Sequence, residues 1–346
     1  MGFAARVRPR HAGRPRRCSS GDGGRGGQVA NRRTTVTRWG VFVVALGASL
    51  WAIDAPIRKP LTETLPATSI VLAEHLFLAL YALPVLLWQR HAFAALSLRS
   101  WLALVAIAWG ASGLATVLFT TAFRIGNPTI VILLQKVQPL VAVLLAAFLL
   151  RERLPRLYWP CFVVALAGAY LVSFGRAAFE PIWLLPQERI LTALLALAAA
   201  ALWGSATVLG RYMLGALPFP TLAAARFLLA LPFLAVLALL EGTFARTWTV
   251  GLAQEAPRLF LLALVPGLLA MLVYYAGLRQ TRASYATLAE LAFPALAIVV
   301  NWLTLGTAID AWQLAGFVLL WSAITTLSWI PAPAPVPATR PATPVS

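Results

Sequence analysis

NPTIVILLQKVQPLVAVLLAAFLLRERL, residues 127–154, is long enough to cross a bilayer as one helix. Its apolar run is broken near the middle by Gln135, Lys136 and Gln138. Polar groups at that depth are costly unless they face protein or a water-filled cavity, so the stretch belongs inside a membrane bundle. Pro139 adds a second irregularity, because a helical proline cannot donate to the carbonyl four residues back, here that of Gln135. One position thereby offers an amide side chain and a freed backbone oxygen. The arrangement returns 155 positions later, where Glu290 stands four residues before Pro294 in SYATLAELAFPALAIVVNWLTL. Alone, two proline-kinked helices are explained by packing. The neighbouring segments repeat as well, which packing does not require.

Of the 346 residues, 60% are hydrophobic and only 11% charged, where a soluble domain carries about 25% charged residues. The composition is that of an all-α integral membrane protein. Ten candidate spans follow from hydropathy: 39–57, 68–88, 101–123, 128–150, 157–175, 190–210, 219–240, 258–278, 284–305 and 312–330. The connections are short and hold no soluble catalytic domain. The two cysteines, Cys18 and Cys161, support neither a disulfide framework nor a thiolate metal site, and no cofactor is called for.

The formal charge of +17 invites a nucleic-acid reading, but ten of the 28 Lys and Arg residues fall within positions 1–38. That Arg-, Gly- and Ser-rich leader lacks the apolar side chains to fold and reads as a disordered basic cytoplasmic tail. No nucleic-acid partner is expected. The excess of positive charge in the leader and the even-numbered loops places both termini in the cytoplasm of a multi-pass inner-membrane protein. Residues 331–346, PAPVPATRPATPVS with two preceding positions, are proline-rich and form a second disordered tail.

Several spans carry one-sided polar patterns. Gly47, Trp51 and Asp54 share a face of the first span, and Trp203, Thr207 and Gly210 share the same spacing in the sixth. The third span has a stripe of Trp109, Ser112, Gly113, Thr116 and Thr120, which favours close helix packing over ligand contact. The eighth answers with Gly267, Met271, Tyr274, Tyr275 and Leu278. In the ninth, Thr287, Glu290, Pro294, Asn301 and Thr304 make one polar wall about 100° wide. Glu74 with His75 in the second span and Arg226 in the seventh add ionisable groups at matching places. Each central charge costs about 2.5–3.5 kcal/mol, so Glu74, Lys136, Arg226 and Glu290 need partners or cavity water. Arg226 reads equally as a helix-clamping arginine or a substrate contact. Asp54 and His75, nearer helix ends, read as solvated.

Two five-span halves, a tryptophan in the first helix of each, a proline in the fourth helix of each and the closing LLRERL run resemble the EamA family of the drug/metabolite transporter superfamily, over residues 39–330. LLQKVQPLVAVLLAAFLLRERL, with Glu152, is similar to that family's fourth-helix signature. The resemblance implies ten transmembrane helices as two inverted five-helix repeats, residues 39–175 and 190–330. It also implies a central cavity lined by the first, third, fourth, sixth, eighth and ninth spans. Two departures make the halves unequal: Thr307 stands where the first half has Glu152, and Glu74 stands where the second half has Arg226.

The expected function is secondary transport of a small metabolite by alternating access, proton-coupled or by exchange. No GxxxxGK[ST] loop is present to bring in ATP. An intramembrane enzyme is disfavoured, since there is no HExxH and the histidines are only His11, His75 and His91. A non-transporting sensor or assembly subunit is the other class. Candidate substrate-binding or pathway residues are Trp51, Glu74, Gln135, Lys136, Trp203, Arg226, Tyr274, Tyr275 and Glu290, with Pro139 and Pro294 as helix kinks. The aromatic residues beside charges of both signs suit an amphipathic or amino-acid-like solute. Lys136 is expected to meet Glu290 across the cavity, with Glu290 exchanging a proton; a fixed ion pair, or Glu74 as the partner of Lys136, stands beside it.

Overall fold

The helices of this protein break where a backbone donor is missing. The computed structural model describes residues 38–94, 96–149, 156–181, 184–213, 215–278 and 292–329, and every regular segment among them is helical. In chain order the main segments are α1 (38–64), α2 (Ala67–Trp88), α3 (Leu98–Ile125), α4 (128–149), α5 (Tyr158–Phe174), α6 (Gln187–Met213), α7 (Phe219–Leu240), α8 (256–278), α9 (Ala292–Leu305) and α10 (Ala311–Trp329). α1 narrows to a 3-10 turn at Trp51–Ile53, where Pro56 cannot donate to the Ala52 carbonyl. α4 does the same at Gln135–Val137, four residues before the N–H that Pro139 lacks. α8 passes through a π-helical stretch, Ala263–Leu269, that contains Pro266. α3 carries a matching π-helical stretch at Ala106–Leu114 without a proline.

Six of these helices are long and apolar enough to cross a membrane, and three shorter apolar ones lie in α4, α9 and α10. Helix starts are set locally. Asn127 caps α4 by accepting from Thr129 N–H at 2.9 Å, with Pro128 in the first turn. Asp310 and Gln313 cap α10 reciprocally, each side chain accepting from the other's backbone N–H at 2.8 and 3.0 Å.

The helices pair in a regular scheme. α2 packs on α7 and α5 on α10, while α1 packs on α8 and α9, and α6 on α3 and α4. Exchanging each helix with the one five places along maps every pairing onto another in the set. Small residues let the axes approach, as between helices in lipid. A β-carbon on Gly47 of α1 would lie 2.5 Å from the backbone nitrogen of Tyr274, and one on Gly168 of α5 would lie 2.6 Å from the Gly316 carbonyl of α10. A β-carbon on Gly113 would sit 2.6 Å from the Phe233 ring of α7. That part of the α3 stripe therefore serves packing, as its small residues suggested.

The basic leader, residues 150–155 with Glu152, residues 279–291 with Thr287 and Glu290, and the proline-rich tail lie outside the described residues, as do the side chains of Pro139, Thr207 and Tyr275.

Candidate functional site

Just beyond the 3-10 turn of α1, a buried arginine gathers three helices. Arg58 is 3% exposed. Its Nε and Nη2 donate to Asp54 Oδ2 and Oδ1, both at 2.8 Å, a bidentate pair one helical turn apart. Its Nη1 donates to Glu74 Oε2 of α2 at 3.0 Å and to Thr120 Oγ1 of α3 at 3.0 Å. The next residue, Lys59, donates to the Phe123 and Arg124 carbonyls at 2.7 and 3.1 Å, which fills acceptors at the end of α3. Two cations thus fasten the Asp54–Thr64 half of α1 to its neighbours. Burying an ion as Arg58 is buried costs several kcal/mol, which only multiple short hydrogen bonds can offset.

These contacts revise two expectations. Asp54 and His75 do not simply face solvent: Asp54 is bound by Arg58, and His75 is 3% exposed, with Nδ1 2.9 Å from the Val71 carbonyl and Nε2 buried without a hydrogen-bond partner among the described residues. The partner of Glu74 is Arg58 rather than Lys136. Arg226 donates from Nε to Ser112 of α3 at 2.7 Å.

One turn back along α1 stands an aromatic group. Trp51 meets Tyr274 of α8 at a ring-centroid distance of 5.4 Å and Phe293 of α9, edge on, at 6.2 Å. The Lys136 ammonium of α4 lies 4.5 Å from the centre of the same Phe293 ring, a cation–π contact. In the other repeat, Trp203 of α6 meets Phe119 of α3 at 5.1 Å and donates its Nε1–H to the Ala111 carbonyl at 2.9 Å. The two tryptophans therefore occupy corresponding places, each against an aromatic ring of the helix its own helix packs upon. Gln135, in the 3-10 turn of α4, keeps a buried side-chain oxygen without a hydrogen-bond partner among the described residues.

α4 and α9 are joined by a polar knot near their ends. Asn301, fully buried, donates to Thr129 Oγ1 at 3.1 Å, and the Thr129 and Thr307 hydroxyls are 3.3 Å apart. Beside it, a cavity of about 560 Å³ opens among Asn127, Glu188, Arg189, Thr192, Asp310 and Gln313, at the end where α3, α5 and α9 finish. Among the described residues no cluster of three or more His, Cys, Asp or Glu side chains could hold a metal ion.

Of the candidate residues, Trp51 and Lys136 meet at Phe293, Tyr274 packs on Trp51, and Pro294, next to Phe293 in the chain, is buried. Glu74 joins the Arg58 cluster, while Trp203 and Arg226 belong to the α3–α6–α7 side. Glu290, its expected contact with Lys136, and the Tyr275 side chain lie outside the described residues. Arg58 and Phe293 were missed. The i, i+4 spacing of Asp54 and Arg58 in DAPIRKP could have revealed the arginine, but closing the first span at residue 57 left it in a loop.

The family profile of EamA-like transporters matches residues 38–174 and again residues 190–329. The chain belongs to the EamA-like transporter family. This EamA protein is accordingly a multi-pass membrane protein of the drug/metabolite transporter type, built from two repeats of one family unit, and the family points to a transporter rather than an enzyme. It is similar to the riboflavin transporter ImpX of Fusobacterium nucleatum subsp. nucleatum, with 31% identity over 309 residues that cover 84% of this chain and 97% of the relative. A solved crystal structure of a protein superposes with a TM-score of 0.55 at 19% identity, over 83% of this chain and 96% of that one, a likeness of fold.

Proposed function

We propose that this EamA protein is a secondary transporter that crosses the inner membrane ten times, as two inverted five-helix repeats with both termini cytoplasmic, and that it moves a planar aromatic solute of the riboflavin class by alternating access. The observation that carries this is Trp51 set against both Tyr274 and Phe293, with the Lys136 ammonium over the Phe293 ring, where α1, α4, α8 and α9 meet. Offset or edge-on aromatic contacts suit a flat ring system. The ammonium suits ring carbonyls or hydroxyls, and the open oxygen of Gln135 suits a ring N–H. The similar riboflavin transporter moves the proposed solute from amino-acid-like to flavin-like. The exchange symmetry of the helix pairings supports inverted repeats.

Purified protein in liposomes should show saturable riboflavin counterflow. Trp51→Ala should raise the half-saturating concentration about two- to tenfold, the worth of one aromatic contact, and Trp51→Phe should retain most of the affinity. Counterflow that amino acids compete away and riboflavin does not would return the amino-acid-like solute.

A further inference from the structure

We propose that Glu74 is a proton-binding site whose occupancy sets how firmly the Asp54–Thr64 half of α1 is held against α2. The first ground is charge. Asp54, Arg58 and Glu74 have side chains only 16%, 4% and 7% exposed, so two carboxylates share one guanidinium away from water, and when both are ionised the cluster carries one uncompensated negative charge. Several other charged or titratable groups on the packed helices hold partners of their own. Lys59 donates to the Phe123 and Arg124 carbonyls, Arg226 to Ser112, Arg258 at the start of α8 to Glu255, and His75 is bonded at Nδ1 to the Val71 carbonyl. α8 presents Gly267 to Glu74, where a β-carbon would come 3.8 Å from Oε1, and α3 presents the Thr120 hydroxyl. Among the described residues, the charged groups that act on Glu74 are Arg58 and Asp54.

The second ground is which carboxylate yields. Asp54 holds Arg58 by two parallel bonds at 2.8 Å, while Glu74 receives one bond at 3.0 Å from an Nη1 that also serves Thr120. Bidentate charge-assisted pairs are the stronger. A proton taken from solvent therefore goes to Glu74, turning its carboxylate into a carboxylic acid and leaving a neutral cluster with the Asp54–Arg58 pair intact. The Arg58–Glu74 contact then loses the attraction between opposite charges and keeps only a hydrogen bond from the guanidinium to a neutral carboxyl oxygen.

The third ground is position. The Arg38–Leu50 half of α1 is seated on α8 through Gly47, and the 3-10 turn bearing Trp51 joins the two halves. Loosening the Asp54–Thr64 half acts directly on the segment that carries Trp51. Coupling to flux rests on the transporter reading; the proton site does not.

Infrared difference spectra of the purified full-length protein between about pH 8 and pH 5 test the site without solute. The wild type should show the carbonyl stretch of a buried carboxylic acid, absent in Glu74→Gln and kept in Glu290→Gln. A wild type lacking the band, or a band surviving Glu74→Gln, overturns the site. If Glu74→Gln does not fold, Glu74→Asp serves instead: it keeps an acid in an altered place, must shift the band or its midpoint, and overturns the site if it does neither. In liposomes, a pH gradient should drive riboflavin accumulation of up to about tenfold per pH unit for one proton per solute. Glu74→Gln should abolish this while riboflavin counterflow continues, and accumulation retained by Glu74→Gln overturns the coupling. A wild type without riboflavin counterflow overturns the riboflavin reading, and the infrared result still decides the site.

Discussion

Arg58 and its three acceptors show how one residue joins helices far apart in the chain, since Glu74 lies 16 positions away and Thr120 lies 62. Removing the guanidinium leaves two buried carboxylates facing each other without a cation, the costly half of a broken ion cluster, about 3–5 kcal/mol. Arg58→Met should therefore lower folded yield and melting temperature sharply in size-exclusion and thermal assays. Replacing all three charges, as Asp54→Leu, Arg58→Met and Glu74→Leu together, should recover much of that loss, because packed apolar side chains need no partners. The recovered protein should still fail to transport. A triple variant no more stable than Arg58→Met would mean that the cluster stabilises beyond charge compensation.

At the scale of elements, α1 combines a proline-broken middle with a tightly seated first half. Gly47 has no room for a β-carbon beside the Tyr274 backbone, whereas Gly210 of α6 has open space within 4 Å. Gly47→Ala should cost about 1–3 kcal/mol through forced separation of α1 and α8. Gly210→Ala should be neutral or stabilising by up to about 1 kcal/mol from helix propensity. Equal effects in a thermal unfolding series would count against the α1–α8 contact. Pro56→Ala would supply the donor that the Ala52 carbonyl lacks, so it should raise thermal stability while slowing riboflavin flux, because the 3-10 turn at Trp51 would close into regular helix.

At the scale of the whole molecule, the helix pairings repeat when each helix is exchanged with the one five places along. The proposed inverted repeats of five crossings each would place the two termini on one side of the membrane, and the basic sequence of residues 1–38 favours the cytoplasmic side. Reporter fusions at residues 30 and 335 should both give cytoplasmic signals; a periplasmic signal from either would break the ten-crossing arrangement or its orientation. Deleting residues 1–35 should leave the riboflavin affinity of correctly inserted protein unchanged, since that stretch lacks the apolar content to line a site.

The sequence by itself determined the membrane class, the two-repeat family, and the helix irregularity near Gln135, because hydropathy, internal repetition and a missing proline N–H are properties of the local chain. It also singled out Trp51 and Lys136, which the fold brings to one ring, and Tyr274, which the fold packs on Trp51. The identity of that ring, Phe293, was hidden among many apolar residues of like composition. Only the tertiary structure decided the partners of the charges, pairing Glu74 with Arg58 and Arg226 with Ser112, and burying His75. Hydropathy registers that a buried charge needs a partner, but which side chain supplies it depends on how neighbouring helices are rotated and offset, and helix rotation is set by packing at contacts such as Gly47 on Tyr274 rather than by composition along the chain.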